Sequence, residues 1–277
     1  MFNSLKFKVI LFGFIFTFFS SFGQSYFLGL FNSSIREALS ITHGQFGSIY
    51  ASATLCSSLL LIWVGKKIDD VNIFKFAFFV TILLSFACFF FSKISSVFLL
   101  FVAIFLMRFS GQGMMSHTAS TTISRYFTRT RGRALSISWF GLSSAEFIMP
   151  VLMVYLLTII DWKNLWLIFS LTVLIVLPVT SFLLIKNLNL DSRETNDENK
   201  KEVEIKQWKR REVIKDYRFY IISSNMLAMP WIFTGFAVFQ SFVQTSKGWG
   251  PYVIAQSFMS YSIFSVLTLF LSGFLID

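Results

Sequence analysis

The sequence predicts an all-α polytopic membrane protein. Hydrophobic residues make up 55% of the chain, charged residues only 14%, and the mean hydropathy is +0.67. A soluble domain would carry about a quarter charged residues. Long apolar runs recur along the chain, each close to the ~20 residues that a helix needs to cross a bilayer. Together these observations predict a bundle of membrane-spanning helices.

The apolar runs define eight predicted spans. They cover residues 9–30, 46–64, 74–92, 96–117, 134–158, 164–185, 219–243 and 252–272. The first run follows a basic start, as a signal peptide would, but it is too long for one and no small-residue cleavage motif follows it. We therefore expect it to remain as span 1. Cys56 and Cys88 both lie in apolar runs and predict neither a disulfide nor a zinc site.

Lysine and arginine are distributed unequally between the two sides of the predicted membrane. Nineteen of the 24 lie at the N-terminus and in the loops after spans 2, 4 and 6, four lie on the other side, and Arg108 lies within span 4. Loops rich in Lys and Arg stay in the cytoplasm. We therefore expect an integral protein of the cytoplasmic (plasma) membrane with its N-terminus inside. Because the net charge of +10 is spread over these loops, it indicates topology rather than nucleic-acid binding.

The longest polar stretch separates six spans from two. Residues 187–216 mix charges of both signs and hold few apolar side chains. Such a composition cannot bury a core, so it predicts a solvated cytoplasmic linker. We divide the chain accordingly into a six-helix bundle at residues 1–186 and a segment of two further spans at residues 217–277.

The end of the chain repeats an earlier stretch. "GFLID", Gly273 to Asp277, matches "GKKID", Gly65 to Asp69, at an offset of 208 residues. Seven of the 18 positions from 52 to 69 are identical at this offset. Both copies fall at the predicted cytoplasmic end of a span. Parallel internal repeats around a midplane site are typical of secondary transporters.

Several motifs in successive spans resemble those of the major facilitator superfamily. "GKKID" resembles the start of its loop 2–3 signature, and "RFSGQG", Arg108 to Gly113, resembles its span 4 motif, an Arg followed by closely spaced glycines. "YFTRTRGRALSIS", Tyr126 to Ser138, resembles loop 4–5 of the branch that contains monocarboxylate and oxalate–formate exchangers. Gly141 and Pro150 fall where that branch keeps a glycine and a proline in span 5. The resemblance covers essentially the whole chain.

The resemblance implies a twelve-span bundle of two halves that transports a solute by alternating access, without a cofactor. A member of this family continues through four more spans, so we interpret the chain as eight spans of an expected twelve, incomplete at its C-terminus. The resemblance also implies gate residues at the cytoplasmic ends of the spans: Gly65, Asp69, Arg129, Arg131, Gly273 and Asp277. The sequence departs from the family pattern at Asp70, Asn72 and Glu146, where a basic residue, a glycine and a small residue are usual.

Two charged residues, Arg108 and Glu146, lie deep within predicted spans. Each is about 12 residues from the start of its span, which at ~1.5 Å per residue places it near the centre of a ~30 Å hydrocarbon core. A charge at the bilayer centre costs at least ~2.5–3.5 kcal/mol on insertion scales. Neither side chain is therefore expected to face lipid without a partner.

Three interpretations of this pair stay open. In the first, Arg108 and Glu146 form a buried ion pair that fixes span 4 against span 5. In the second, the planar fork of Arg108 binds the carboxylate of an organic anion, and Glu146 takes up a proton that couples to transport. The third is a multidrug–proton antiporter of the same fold. A membrane sensor that transports nothing is a further alternative, to be separated from a carrier by measured solute flux.

Polar side chains at helical spacing extend the predicted cavity. Besides Arg108, the predicted substrate contacts are Gln24, Tyr50, Gln112, Trp139 and Asn225. His43 and His117 lack partners at ligand spacing, so no metal is expected. An enzyme and a nucleotide-driven pump are not expected either, because their nucleophile, metal and phosphate-loop motifs do not occur. The expected partners of a monomer are a small solute, protons and the lipid bilayer, and no nucleic acid.

Overall fold

A computed structural model of the chain describes residues 4–127, 130–186 and 210–276. Within these residues eight helices are long and apolar enough to cross a membrane. This confirms the eight predicted spans and the all-helical class, since the described residues form no strand. The predicted gate residues Arg129 and Asp277, and residues 187–209 of the predicted linker, lie outside the described part.

The helices follow the predicted order, with bounds that differ at several ends. Span 1 consists of α1 (Ser4–Ser20), a 3-10 turn (Ser21–Gly23) and α2 (Ser25–Leu30), and α3 (Asn32–Leu39) follows it. Spans 2 and 3 are α4 (His43–Val64), extended by a 3-10 turn (Gly65–Asp69), and α5 (Ile73–Ser92). Span 4 joins α6 (Val97–Met107), a π-helical segment (Arg108–Met115) and α7 (Ser116–Tyr126).

The remaining spans are single helices. Spans 5 and 6 are α8 (Arg131–Leu156) and α9 (Trp162–Ile185). The short α10 (Arg210–Lys215) precedes span 7, which is α11 (Tyr217–Val238). The short α12 (Gln240–Ser246) then leads to span 8, which is α13 (Pro251–Ile276).

Several helix starts are fixed by side-chain caps that the sequence carries. Thr42 and Gln45 form a capping box at the start of α4, each satisfying a backbone N–H of the other. Asn72, which departs from the family pattern, accepts hydrogen bonds from the first backbone N–H groups of α5. Asp161 and Asp216 cap α9 and α11 in the same way. The polar residues between spans therefore end one helix and begin the next.

Span 1 lies at the centre of the first bundle. It packs against spans 4, 5 and 6, while span 2 packs on span 4 and span 3 on span 6. Spans 3 and 6 are joined by Ser85 and Ser170, whose hydroxyls each donate to the other residue's carbonyl, at 3.0 and 2.9 Å. Because lipid tails give no hydrophobic drive between helices, packing and such interhelical hydrogen bonds hold a membrane bundle together.

Spans 7 and 8 pack on different parts of the first bundle. Span 7 meets α2, and span 8 lies along span 5. The Ser136 hydroxyl donates to the carbonyl of Leu269 at 2.7 Å, and the hydroxyls of Ser143 and Ser265 lie 3.3 Å apart. Small residues on both helices thus allow close approach, as is usual between membrane helices.

The internal repeat extends beyond the stretch in which the sequence revealed it. Three helix boundaries recur 208 positions apart: the ends at Leu30 and Val238, the starts at Asn32 and Gln240, and the starts at His43 and Pro251. The short helices α3 and α12 are therefore equivalent elements of the two halves, although their sequences share little.

Spans 1 and 7 differ from the predicted continuous helices. Span 1 is interrupted at Ser21–Gly23, and Gln24 has an extended backbone with φ −78° and ψ 152°. Span 7 ends at Val238 rather than at residue 243. Apolar periodicity does not reveal either break, because apolar residues continue on both sides of it.

Candidate functional site

Spans 1 and 4 cross closely at a point where both depart from regular α-helix. A Cβ atom on Gly111 would lie 2.7 Å from the nitrogen of Gly23 and 2.8 Å from its Cα. Only glycine leaves room for two backbones at this separation. Span 1 is interrupted here, and span 4 is π-helical from Arg108 to Met115. Such π-helical segments occur frequently at functional sites.

The interruption of span 1 holds the side chain of Arg108. The Nη1 group of Arg108 donates to the carbonyl oxygen of Gly23 at 3.0 Å and to Oγ of Ser25 at 3.2 Å. The Gly23 carbonyl is available because the extended backbone at Gln24 ends the helical hydrogen-bond pattern. The Tyr50 hydroxyl also donates to Ser25 Oγ, at 2.9 Å, and the guanidinium lies 5.3 Å from the centre of the Tyr50 ring. Arg108 is thus fixed by spans 1 and 2.

One edge of the Arg108 guanidinium has no partner among the described residues. Both hydrogen bonds of this side chain are made by Nη1, and Nε is buried without a hydrogen bond in the described part of the chain. The Nε–H and Nη2–H groups of an arginine point in parallel and match the two oxygens of a carboxylate. This edge therefore has the geometry to receive one carboxylate.

Arg108 lines a cavity of about 620 Å³ between spans 2, 4 and 7, which we call the central cavity. Its lining is mixed, with hydroxyl, amide and guanidinium groups beside apolar side chains: Thr54, Ser57, Ser58, Leu61, Arg108, Gln112, Gly113, Leu227, Pro230, Trp231 and Thr234. A second cavity, of about 450 Å³, continues from Thr54 and Thr234 toward the start of span 2. A volume of this size is typical of small-molecule sites.

Two of the six predicted substrate contacts line the central cavity, and a third lines the second cavity. Arg108 and Gln112 line it, one turn apart on span 4. Tyr50 is 3% exposed and lines the second cavity. Gln24 is half-buried at the interruption of span 1, between the two residues that hold Arg108. The sequence did not predict a role for Ser25, which accepts a hydrogen bond from Arg108, because that role depends on the break in span 1.

The structure does not bring Trp139 and Asn225 to this cavity. Trp139 is half-buried on span 5 and is absent from the cavity lining. Asn225 is exposed on span 7, where its amide donates to the carbonyl of Ile221 in the same helix at 3.0 Å. Helical spacing alone gave these two predictions, and it does not specify which face of a span meets the cavity.

Glu146 occupies a separate buried position between spans 1, 5 and 8. It is 6% exposed, and no ion pair joins it to Arg108 among the described residues. Its helix, α8, packs against α1 and α2 of span 1 and against α13 of span 8. The Tyr26 hydroxyl and that of the nearby Ser21 are buried and lack a well-formed hydrogen bond within the described part of the chain. The buried ion pair of the first interpretation is therefore not formed in this conformation.

The predicted cytoplasmic gate residues of the first half contact span 4. Asp69 forms an ion pair with Arg125, whose Nη1 also donates to the carbonyl of Ile68 at 3.4 Å. The carbonyl of Gly65 lies 2.9 Å from Nε2 of His117. Arg125 and His117 were not among the predicted gate residues. The position of Arg125 just before the "YF" of loop 4–5 is the signal that could have found it.

The other described gate residues lie on spans 5 and 8. Arg131 is the exposed first residue of α8. A Cβ atom on Gly273 would lie 3.0 Å from Cβ of Ser136 and 3.2 Å from the carbonyl oxygen of Gly132. The repeat-related glycines Gly65 and Gly273 therefore both lie at close helix contacts, the first with span 4 and the second with span 5.

A comparison with known families identifies the fold. The family model of the Major Facilitator Superfamily matches residues 13–277. The chain belongs to the Major Facilitator Superfamily. The protein is therefore a membrane transporter by family, and the family is not one of enzymes. No individual curated protein matches the chain.

The family match confirms the resemblance at the level of the superfamily. The closer likeness to monocarboxylate and oxalate–formate exchangers rests on Tyr126 to Ser138, Gly141 and Pro150, and it stays a prediction. For this major facilitator protein, the residues described contain no group of three or more His, Cys, Asp or Glu that could hold a metal ion. The hydroxyl, amide and guanidinium groups that line the central cavity can bind a solute through hydrogen bonds and charge.

Proposed function

We propose that this major facilitator protein is a secondary transporter of a small carboxylate that works by alternating access in the cytoplasmic membrane. The observation that carries the proposal is the side chain of Arg108, which lines the central cavity and whose Nε and Nη2 groups make no hydrogen bond among the described residues. A carboxylate is the planar anion that these two groups fit in two parallel hydrogen bonds.

The balance of charge around Arg108 supports an anionic solute. Its neighbours are the Gly23 carbonyl, the Ser25 hydroxyl and the Tyr50 ring, all of them neutral. Among the described residues no carboxylate pairs with it. A buried charge is normally paired, because an unpaired ion away from water is costly. A bound anion would supply the missing partner.

The position of the central cavity supports alternating access. Its lining on span 2 runs from Thr54 to Leu61, the half of that span nearer the side of the N-terminus. On span 7 it includes Leu227 and Trp231, which are 62% and 81% exposed, whereas Val238 at the far end is 3% exposed. The span 7 lining residues Leu227, Pro230, Trp231 and Thr234 lie between the middle of α11 and its end at Val238, so the linings on spans 2 and 7 together place the cavity near the middle of the spans. Alternation between a conformation open to one side of this midplane site and one open to the other completes the transport cycle.

We assign Glu146 to coupling because it is the acidic residue that lies deep within a span. Its helix, α8, packs against α1 and α2 of the first half and against α13 of the second, so Glu146 lies on an element that contacts both halves of the repeat. Uptake of a proton would neutralise Glu146 and change its interaction with span 8. A shift in the packing of span 8 against span 5 would then alter how the halves meet.

Solute uptake into vesicles by the full-length protein tests the proposal. The panel contains carboxylates, amino acids and cationic drugs, each with and without a pH gradient. We expect saturable carboxylate uptake, and we expect Arg108→Ala to abolish it while the protein still inserts. Arg218→Ala is the matched control, because Arg218 is an exposed arginine at the start of span 7 that pairs with Asp216 at 3.8 Å.

Three outcomes would contradict the proposal in different ways. Carboxylate uptake with unchanged kinetics in the Arg108→Ala variant would exclude Arg108 as the binding residue. Transport of cationic or apolar compounds, without saturable carboxylate uptake, would favour a multidrug–proton antiporter. Absence of flux for every solute in a correctly inserted protein would favour a membrane sensor.

A further inference from the structure

The outer ends of spans 1 and 7 are joined by two buried side-chain amides. The Asn32 Nδ2 group donates to the carbonyl oxygen of Val238 at 2.7 Å. The Gln240 Nε2 group donates to the carbonyl oxygen of Tyr26 at 2.9 Å. Asn32 is 0% and Gln240 3% exposed, so both hydrogen bonds are shielded from water.

These two amides occupy the same position in the internal repeat. Asn32 is the first residue of α3 and Gln240, 208 positions later, is the first residue of α12. Each amide donates to a backbone carbonyl in the other half. Asn32 binds a carbonyl of α11, which precedes α12, and Gln240 binds a carbonyl of α2, which precedes α3. The carbonyl of Val238, at the end of α11, has no continuing helix to bond. The two hydrogen bonds are thus reciprocal across the repeat.

The surrounding contacts leave no room for solute between the same two ends. A Cβ atom on Gly29 would overlap the carbonyl oxygen of Ala237 and the amide of Gln240. A Cβ atom on Gly47 would lie 2.7 Å from the ring of Phe239. Glycine at both positions therefore allows the end of span 7 to touch spans 1 and 2, and the second cavity lies beside the contact between Gly47 and Phe239. Arg36 Nε donates to Asn32 Oδ1 at 2.7 Å, which turns the Asn32 amide nitrogen toward Val238.

We propose that the Asn32–Val238 and Gln240–Tyr26 hydrogen bonds form a two-part lock on the outer gate, one part supplied by each half. Both must break before the central cavity can open to the outside. The proposal rests on the alternating-access function proposed above. If only one of the two hydrogen bonds breaks, the other keeps the ends together and the freed donor stays buried without a partner. A donor unpaired away from water is costly, so partial opening is disfavoured. Full opening admits water, which replaces both lost partners.

Access to the cavity from outside tests the lock without using a substrate. In the full-length protein, Cys56→Ser and Cys88→Ala remove the native cysteines, and Thr54→Cys places a thiol where the two cavities meet. A membrane-impermeant maleimide is added to intact cells. If each buried hydrogen bond contributes about 1 kcal/mol, loss of one raises the labelling rate about fivefold and loss of both about 25-fold.

The variants remove the amides at nearly constant volume. We expect Asn32→Leu and Gln240→Leu each to label faster than the parent, and the double variant to label fastest. Asn225→Leu is the matched control, since this amide lies on the same span 7 but is exposed and bonds its own helix. We expect it to label at the parent rate. A double variant that labels no faster than the control would overturn the lock.

A cross-link distinguishes a lock from a general loss of packing. In a variant with Asn32→Cys and Val238→Cys, oxidation joins the two introduced cysteines. We expect the cross-link to stop transport and to stop labelling from outside of the Thr54→Cys variant. Reduction is expected to restore both. A misfolded variant would not recover on reduction. A cross-linked protein that still labels from outside would contradict the proposal. Because labelling needs no solute, faster labelling combined with absent carboxylate uptake would reject the proposed substrate and leave the lock supported.

Discussion

Replacement of Gly111 by alanine should destabilise the crossing of spans 1 and 4 and weaken solute binding together. The new Cβ would lie 2.7 Å from Gly23 N and 2.8 Å from Gly23 Cα, whereas carbon atoms pack at ~3.5–4.0 Å. Both neighbouring atoms are backbone, so the spans must separate by about 1 Å. Overpacking of this kind costs ~1–3 kcal/mol.

The same displacement acts on the hydrogen bond that positions Arg108. The bond from Nη1 to the Gly23 carbonyl is 3.0 Å long, and a further separation of about 1 Å takes it beyond hydrogen-bond distance. A hydrogen bond to a charged group contributes ~1.5–3 kcal/mol. If binding depends on this bond, affinity for a carboxylate should fall about 10- to 150-fold, since ~1.4 kcal/mol is a factor of ten.

Thermal unfolding of the purified protein in detergent, together with uptake kinetics, measures both effects. Gly113→Ala is the control within the same "RFSGQG" motif. Its Cβ would meet the end of the Leu61 side chain at 3.2 Å, and a flexible side chain can move aside. We expect Gly113→Ala to retain stability close to that of the parent. Equal stability and equal affinity in the two glycine variants would refute the reasoning from the close backbone contact.

Two further predictions concern charge. We expect the transport rate of the parent to fall as pH rises, because Glu146 then loses its proton, and we expect Glu146→Gln, which resembles the protonated acid, to remove that fall; an unchanged pH profile in vesicles would reject Glu146 as the coupling residue. With Asp69→Asn, the ion pair to Arg125 is lost, and because Asp69 is half exposed the unfolding free energy should change by at most ~1 kcal/mol. Its transport rate should nevertheless change, and a rate equal to that of the parent would exclude a gating role.

The membrane spans were predictable because their signal is local. Each span is a run of apolar residues whose length matches the bilayer, and neither its detection nor its order depends on a partner helix. The caps at Thr42, Asn72 and Asp216 are local as well, since each bonds the first turn of its own helix. Arg108 and Glu146 stood out for a similar reason, because a charge deep in an apolar run is costly wherever the run packs.

The features that were missed depend on contacts between distant parts of the chain. The interruption of span 1 at Ser21–Gly23 lies where Gly23 closely approaches Gly111 on span 4, a contact between distant parts of the chain. Asn32, just after predicted span 1, and Gln240, within predicted span 7, look like ordinary polar residues until the repeat brings the two ends together. The face that each span presents was also undetermined, which is why Trp139 and Asn225 were predicted to contact a solute and lie away from the central cavity. Periodicity shows which residues share one face of a helix, but it does not show which other helix or cavity that face contacts.

The break in span 1 links the proposed solute site, the proposed coupling residue and the proposed outer gate through one short helix. At its start, α2 holds Arg108 through Ser25. The next residue, Tyr26, accepts the Gln240 amide at its carbonyl, and α2 packs against α8, the helix that carries Glu146. Because the turn at Ser21–Gly23 separates α2 from α1, this six-residue helix can move without bending the rest of span 1. A carboxylate that draws Arg108 away from Ser25, or a proton that neutralises Glu146, therefore acts on the same helix that the outer lock holds. This arrangement explains how a solute and a proton bound at separate positions could control one gate.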